Sequence, residues 1–277
     1  MGEHVISHWF IKLFAGQGPF TSEKDGAPYL NRRGEVALQG SLPGVHIPMC
    51  SDCNNKLSQT IEADAKPVIE RLLPWSSEHS WPTIDGAEAM ALTKWLLKVG
   101  LLWAHPRSHH DQPQVRRDPN MARLEFVEPE WVAWMRTGDD PPEGFSVYVA
   151  RRSPLADHAE WPDNKRERIA LPSRVVVGHQ QLRFMTRNFG IRGLDVTIVW
   201  HPGWPIVHPL VAEGRAAAIW PDPQPVAFSG LRDVHPKEVT FFMSGVMVAT
   251  NEDEYSRGAP LHPLGVGVLP ALADLSE

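Results

Sequence analysis

The sequence predicts an α+β protein, with helices concentrated in its first half and short strands in its second. Three observations carry this expectation. Apolar residues recur at helical spacing as far as residue 136. Beyond Pro142 the apolar runs shorten, turn β-branched and aromatic, and are separated by Pro and Gly. Proline supplies 26 of 277 residues, about twice its usual share, which favours many turns over a long helical bundle. The length suits one large or two modest domains with a real core. The 11 Trp and 10 Phe, with no low-complexity repeat, exclude collagenous and disordered chains. No run nears the ~18 apolar residues of a membrane span, and nothing after Met1 resembles a signal peptide. The expectation is a cytoplasmic protein without a membrane partner. Two cysteines cannot form a disulfide framework, so Cys50-x-x-Cys53 reads as a metal or redox element.

Taken in order, residues 4–14 (HVISHWFIKLF) predict a short helix, with Val5, Trp9 and Leu13 on one face. Residues 15–45 are punctuated by Gly and Pro and predict a β-hairpin or loop. A helix is expected from Asn54, with Leu57, Ile61, Ala65, Val68 and Leu72 along one face and a kink or break at Pro67. The clearest helix spans 86–104: Asp85 and Glu88 have capping-box spacing, and the body is apolar except at Lys94 and Lys98. A shorter helix is expected at 129–136, with Pro129 in its first turn and Gly138 after its end. Strands are expected at 145–150, 174–178, 195–200, 216–220 and 239–250. A boundary near 138–143 divides the chain into 1–140 and a β-rich 141–277. Trp75, Trp81, Trp95, Trp103, Trp131 and Trp134 read as core residues, and His109-His110-Asp111 as part of a Pro-rich loop.

The net charge of −6 is unevenly spread: −1 over residues 1–120, −5 over 121–163, +6 over 164–194 and −6 over 195–277. The basic segment has two readings. Its cations can pair with the acidic flanks as a solvated face, or Arg183, Arg187 and Arg192 can contact nucleic-acid phosphates, which act locally. No G-x-S-x-G elbow, P-loop or G-x-G-x-x-G is present, which argues against a Ser-His-Asp hydrolase and a nucleotide-driven enzyme.

Two short stretches carry the chemistry. Glu3-His4-Val5-Ile6, followed by Trp9, sets a carboxylate beside a proton acceptor. Cys50-Ser51-Asp52-Cys53-Asn54-Asn55 runs into the helix that carries Glu62. A C-x-x-C knuckle can grip one side of a zinc ion, and an Asn at a helix start can offer oxygen to a hard cation. Phosphodiester hydrolysis calls for a histidine to deprotonate water and a divalent ion to stabilise charge.

These motifs resemble those of the HNH, or His-Me finger, endonucleases. Within them the similarity is to the bacterial group whose motifs run E-H-V-x-P-x-W and C-x-x-C-N-N-x-(apolar)-S-x-x-(apolar)-E. The likeness covers residues 3–104, where the group also has an apolar Trp- and Lys-containing helix, with a fainter echo at IWPDPQPVAFSG (219–230). The resemblance implies an N-terminal ββα-metal finger module followed by a helical extension. It also implies a metal-dependent endonuclease hydrolysing DNA, as such modules do in defence against foreign DNA. His4 would be the general base, Glu3 and Asn54 the ligands of Mg²⁺ or Mn²⁺, and Cys50 and Cys53 half of a structural Zn²⁺ site. Three features depart from the pattern. The usual C-x-x-C ahead of E-H is not in this sequence, and His8 is the nearest substitute ligand. Ser7 stands where the group has proline. The middle Asn has no clear counterpart, and His46 sits nearest that role. Glu62 reads as a helix-face carboxylate, or else as a group supporting the site. The alternative function is a catalytically degenerate finger that binds nucleic acid, a protein partner or a second copy without cutting. A third is a structural zinc protein built on His8, Cys50 and Cys53.

Overall fold

The computed structural model describes residues 2–16, 18–21, 23–24, 27–28, 30–40, 46–73, 80–105, 127–153, 167–171, 174–177, 180–191, 193–201, 206–235, 238–243 and 246–249. At residues 2, 3, 21, 23, 24, 27, 28, 174–177, 180–183, 242 and 246–249 the description is of the backbone only. The fold is α+β, and the chain divides into two compact units: residues 1–72 with 85–142, and residues 73–84 with 143–277. Among the described residues no helix is long and apolar enough to cross a membrane.

The first unit opens on strand β1 (Gly2–His4) and helix α1 (His8–Leu13). This corrects the helix expected over 4–14. The main chain of residues 2–4 is held in a ladder instead, and Ile11 N–H is bonded back to Ser7 O at 3.1 Å once the helix has begun. The α1 side chains Trp9 and Phe10 stack on Trp95, with ring centroids 6.0 and 5.3 Å away. Two small antiparallel pairs follow, β2 (Phe20–Thr21) with β5 (Leu38–Gln39), and β3 (Glu23–Lys24) with β4 (Ala27–Pro28).

Strand β6 (His46–Pro48) pairs with β1 and leads into α2 (Ser51–Leu57). A π-helical turn (Ser58–Glu62) then connects α2 directly to α3 (Ala63–Leu72). Pro67 does not break the helix as expected. The proline lies inside α3, which runs on to Leu72, and costs the ladder the N–H that Pro67 lacks. Helix α4 (Gly86–Ala104) has the bounds and the capping box expected for it. Leu92, Leu96, Val99 and Trp95 bury its sides, which is why it is the core element of this unit. Helix α5 (Pro129–Trp134) ends before Gly138, whose φ of +73° only glycine adopts readily. A Cβ there would also lie 2.9 Å from the Thr60 Cβ.

The second unit includes β7 (Thr83–Ile84), which the sequence grouped with the first part. β7 pairs with Val226–Ala227, and Trp81 stacks on Phe228. Its main sheet is built from β8 (Phe145–Arg151), β12 (Met185–Ile191), β13 (Leu194–Trp200) and β14 (Ala216–Trp220) in the order β12-β13-β8-β14, antiparallel throughout. Strand β9 (Glu167–Leu171) pairs in parallel with β16 (Val239–Met243), and β10 (Arg174–Val177) lies between β11 (Gln180–Arg183) and β17 (Val246–Ala249). The basic segment is thus largely strand. Ile169, Leu171, Phe184, Val199, Leu210 and Phe241 form the core cluster. Trp95, Trp131 and Trp134 are buried as expected, Trp81 and Trp103 are half-buried, and Trp75 lies outside the described residues, as do His109, His110 and Asp111.

One buried titratable group in this unit couples stability to pH. His208 is 4% exposed and caps the short helix α6 (Pro209–Ala212), its Nδ1 accepting from Leu210 N–H at 3.2 Å. Its ring lies 5.3 Å from both Tyr148 and Phe241. Burial pushes its pKa down to about 4 from the ordinary 6.5. The neutral ring is therefore the folded form, so its contribution is whole above pH 6.5 and is lost as pH falls toward 4. By linkage the loss reaches roughly 3 kcal/mol. Denaturant unfolding followed by tryptophan fluorescence should show this decline between pH 7 and 4.5, and a neutral cap in His208→Asn should flatten it. An equal decline in that variant would assign the effect to other groups.

Candidate functional site

The site is assembled by the pairing of β1 with β6. Their antiparallel register sets Gly2 opposite Pro48, Glu3 opposite Ile47 and His4 opposite His46. Ile47 turns inward while His46 and Pro48 face outward, the alternation a strand with one buried side must show. Two residues later the chain enters α2. Cys50 takes the extended backbone of an N-cap, and its Sγ accepts from the Cys53 N–H at 3.1 Å. The Cys53 Sγ is 2.6 Å from the Cys50 Sγ. The Cys53 thiol and N–H hold the Cys50 thiol below its ordinary range, while Cys53, which keeps the shared proton, is pushed up.

Opposite positions on paired strands bring side chains together. The His4 and His46 rings are 3.8 Å apart between centroids, with Nε2 facing Nε2 at 3.0 Å. One nitrogen must hold the proton that the other accepts, so the tautomers of His4 and His46 are coupled. His8, the first residue of α1, stacks on the His4 ring at 5.3 Å and 9°. Four residues apart in a helix expected over 4–14, His4 and His8 would share one face. They meet instead across the turn from strand to helix. His4 Nδ1 is buried and has no hydrogen-bond partner among the described residues. Burial, then His46 and His8, hold the His4 pKa below the usual 6.5. The imidazole is neutral at pH 7 and available to take a proton.

Behind this cluster lies a polar network that the sequence reading missed. Lys98, in the middle of α4, is 0% exposed. Its Nζ donates to the carbonyls of His4 at 3.0 Å and Val5 at 3.3 Å, and to Glu62 Oε1 at 3.0 Å, with Ser7 Oγ at 3.5 Å. Ser7 Oγ donates to Glu62 Oε1 and accepts from Trp95 Nε1 at 3.1 Å. Glu62 is therefore a buried ion-pair partner and not a solvated helix-face carboxylate. The available signal was a lysine inside an almost wholly apolar helix, which is rarely tolerated without a partner.

The remaining expected site residues are placed as follows. The Glu3 backbone lies on β1, and its side chain is outside the description. Asn54 is half-buried in the first turn of α2, its N–H bonded to Cys50 O at 3.0 Å, and among the described residues no hydrogen bond joins its side chain to His4. Arg187 is half-buried on β12 and donates from Nη1 to Thr186 O at 3.1 Å. The backbone of Arg183 is on β11 opposite Arg174, and Arg192 lies outside the described residues. Among the described residues no group of three or more His, Cys, Asp and Glu side chains is arranged to hold a metal ion. Comparison with family models, with curated proteins and with solved structures finds no match.

The thiols provide a direct test of this geometry. Cys50 is exposed and its thiolate is favoured, so it should be alkylated by iodoacetamide at pH 7 well ahead of Cys53. Peptide mapping by mass spectrometry would show the order, and equal labelling of both would contradict the assigned proton sharing.

Proposed function

We propose that this chain is a metal-dependent endonuclease that hydrolyses DNA phosphodiester bonds, with His4 as the general base. The observation that carries the proposal is the pairing of β1 with β6 immediately ahead of the Cys50-capped helix, which sets His4 against His46. This order of two antiparallel strands and a helix supports a ββα-metal module. The low proton affinity of His4 suits a base working near neutral pH, since its lone pair is free of a proton where the enzyme would act.

The donors available fit the two implied ions by type. Glu3 and Asn54 would offer oxygen to Mg²⁺ or Mn²⁺, and the adjacent thiols of Cys50 and Cys53, one of them held below its ordinary range, would offer half of a Zn²⁺ site. A bound divalent ion would supply charge stabilisation at the scissile phosphate and the leaving oxygen. The residues of the chain do the rest. His4 takes the proton of the attacking water, His46 shares that proton through the facing Nε2, and His8 stacks on the His4 ring. The basic segment 164–194 would add phosphate contacts through Arg183, Arg187 and Arg192. A soluble setting, cutting of foreign DNA and a partner protein or second copy belong to the same proposal.

Nicking of supercoiled plasmid with Mg²⁺ or Mn²⁺ tests the reading. His4→Ala should lose about 10²- to 10⁴-fold in rate, the usual worth of a general base. The wild-type rate should be flat around pH 7 and fall only as acid protonates His4 below 6.5. An acid limb centred above that value, or an alanine variant as fast as wild type, would remove His4 from the mechanism. Plasmid binding without cutting under every metal condition would favour the degenerate finger.

Replacing Arg183, Arg187 and Arg192 together with Gln should weaken DNA binding. It should also make the dependence of log affinity on log salt less steep, by roughly one unit per phosphate contact removed. An unchanged salt slope would give the basic segment a purely structural role.

A further inference from the structure

We infer that Lys98, held in place by Glu62, is a positioning residue that fixes the His4 imidazole by binding the main chain on which it sits. The inference rests on the reading of His4 as the base and deepens it.

Strand β1 has three residues and ends at His4. The carbonyls of His4 and Val5 lie where the ladder has stopped and α1 has not begun. A buried carbonyl needs a donor. The Lys98 ammonium supplies one to each, at 3.0 and 3.3 Å, from a helix 94 residues along the chain in the case of His4. The His4–Val5 peptide is thereby locked, and with it the direction of the His4 side chain toward His46. The ammonium in turn needs a counter-charge, since it is fully buried. Glu62, the last residue of the π-helical turn 58–62, provides it at 3.0 Å. The Ser7 hydroxyl donates to the carboxylate and in turn accepts from the Trp95 indole.

A merely structural ion pair would behave differently. A buried pair can often be exchanged for apolar residues of similar volume with little loss of stability, whereas removing one partner strands a charge. The informative variant is therefore the double substitution Lys98→Met/Glu62→Leu in the full chain. It keeps the volume and removes both charges, but leaves the His4 and Val5 carbonyls without their donor. Thermal unfolding of this variant should remain one cooperative transition, lowered by the two stranded carbonyls, while kcat for plasmid nicking falls at least tenfold and KM is unchanged. Adding His4→Ala to it should cost much less than His4→Ala costs in the wild type, because both changes act through one side chain. Lys98→Arg, which keeps the charge and the donors, should recover part of kcat.

A second readout needs no activity. Cross-relaxation between the His4 and His46 ring protons should be present in the wild type and lost in the double variant, while amides of α4 stay protected from exchange. If the ring contact persists in the double variant, or kcat stays within twofold of wild type, Lys98 does not position His4. If the wild type itself never nicks but the ring contact is lost as described, the positioning role stands and the nuclease reading falls. If the double variant unfolds, Lys98→Arg decides the matter. Retained ring contact with recovered folding supports the inference, and lost contact in a folded Lys98→Arg protein overturns it.

Discussion

A single buried ammonium holds the first unit together. Lys98 Nζ lies among oxygens from residues 4, 5, 7 and 62, so one side chain ties the amino-terminal strand, the entry to α1 and the π-helical turn to α4. None of the smaller pieces would hold its shape alone. Three-residue strands and a six-residue helix are below the length at which local structure is stable in water. Desolvating the charge is costly, and Glu62 together with the carbonyl dipoles offsets that cost. The arrangement therefore cannot be loosened at one point without exposing an unpaired charge at another.

The elements that the sequence announces are those whose signal is local. Helix α4 has its capping box and a long apolar body, and its bounds match the expectation at both ends. The strands at 145–151, 194–200 and 216–220 lie in one sheet with buried β8 at its centre, so their apolar runs are nearly continuous. Other elements depend on distant partners. The segment 2–4 becomes a strand because residues 46–48 pair with it, and nothing within its own three residues says so. Strands β9, β11 and β12 fall in the basic segment, where charged and polar residues interrupt the alternation that marks a half-buried strand.

The candidate site was legible to a similar extent. His4, Cys50 and Cys53 stand out by type and spacing, and the structure sets each beside a residue of matching chemistry. Glu62 was less legible, because its burial depends on Lys98 and Ser7, distant in the sequence. Leu57, Ile61, Ala65, Val68 and Leu72 are buried as expected, and Glu62 is buried beside Ile61 within the π turn. Lys98 was noted only as an interruption of an apolar helix. Its role depends on carbonyl groups, which every residue has and which sequence pattern therefore cannot mark.

Ser7 connects these points. In the group that the sequence resembles, this position is proline, which has neither hydroxyl nor N–H to offer. A serine just before a helix ordinarily caps it, yet Ser7 makes no side-chain capping bond to α1. Its hydroxyl points into the core instead, accepting from Trp95 and donating to Glu62. A proline here would strip one partner from the carboxylate and the Ser7 acceptor from the indole, in surroundings where water cannot replace them. The departure at Ser7 is thus bound to the identities of residues 62, 95 and 98. The four form one buried unit, and a change at any of them alters what the other three must satisfy.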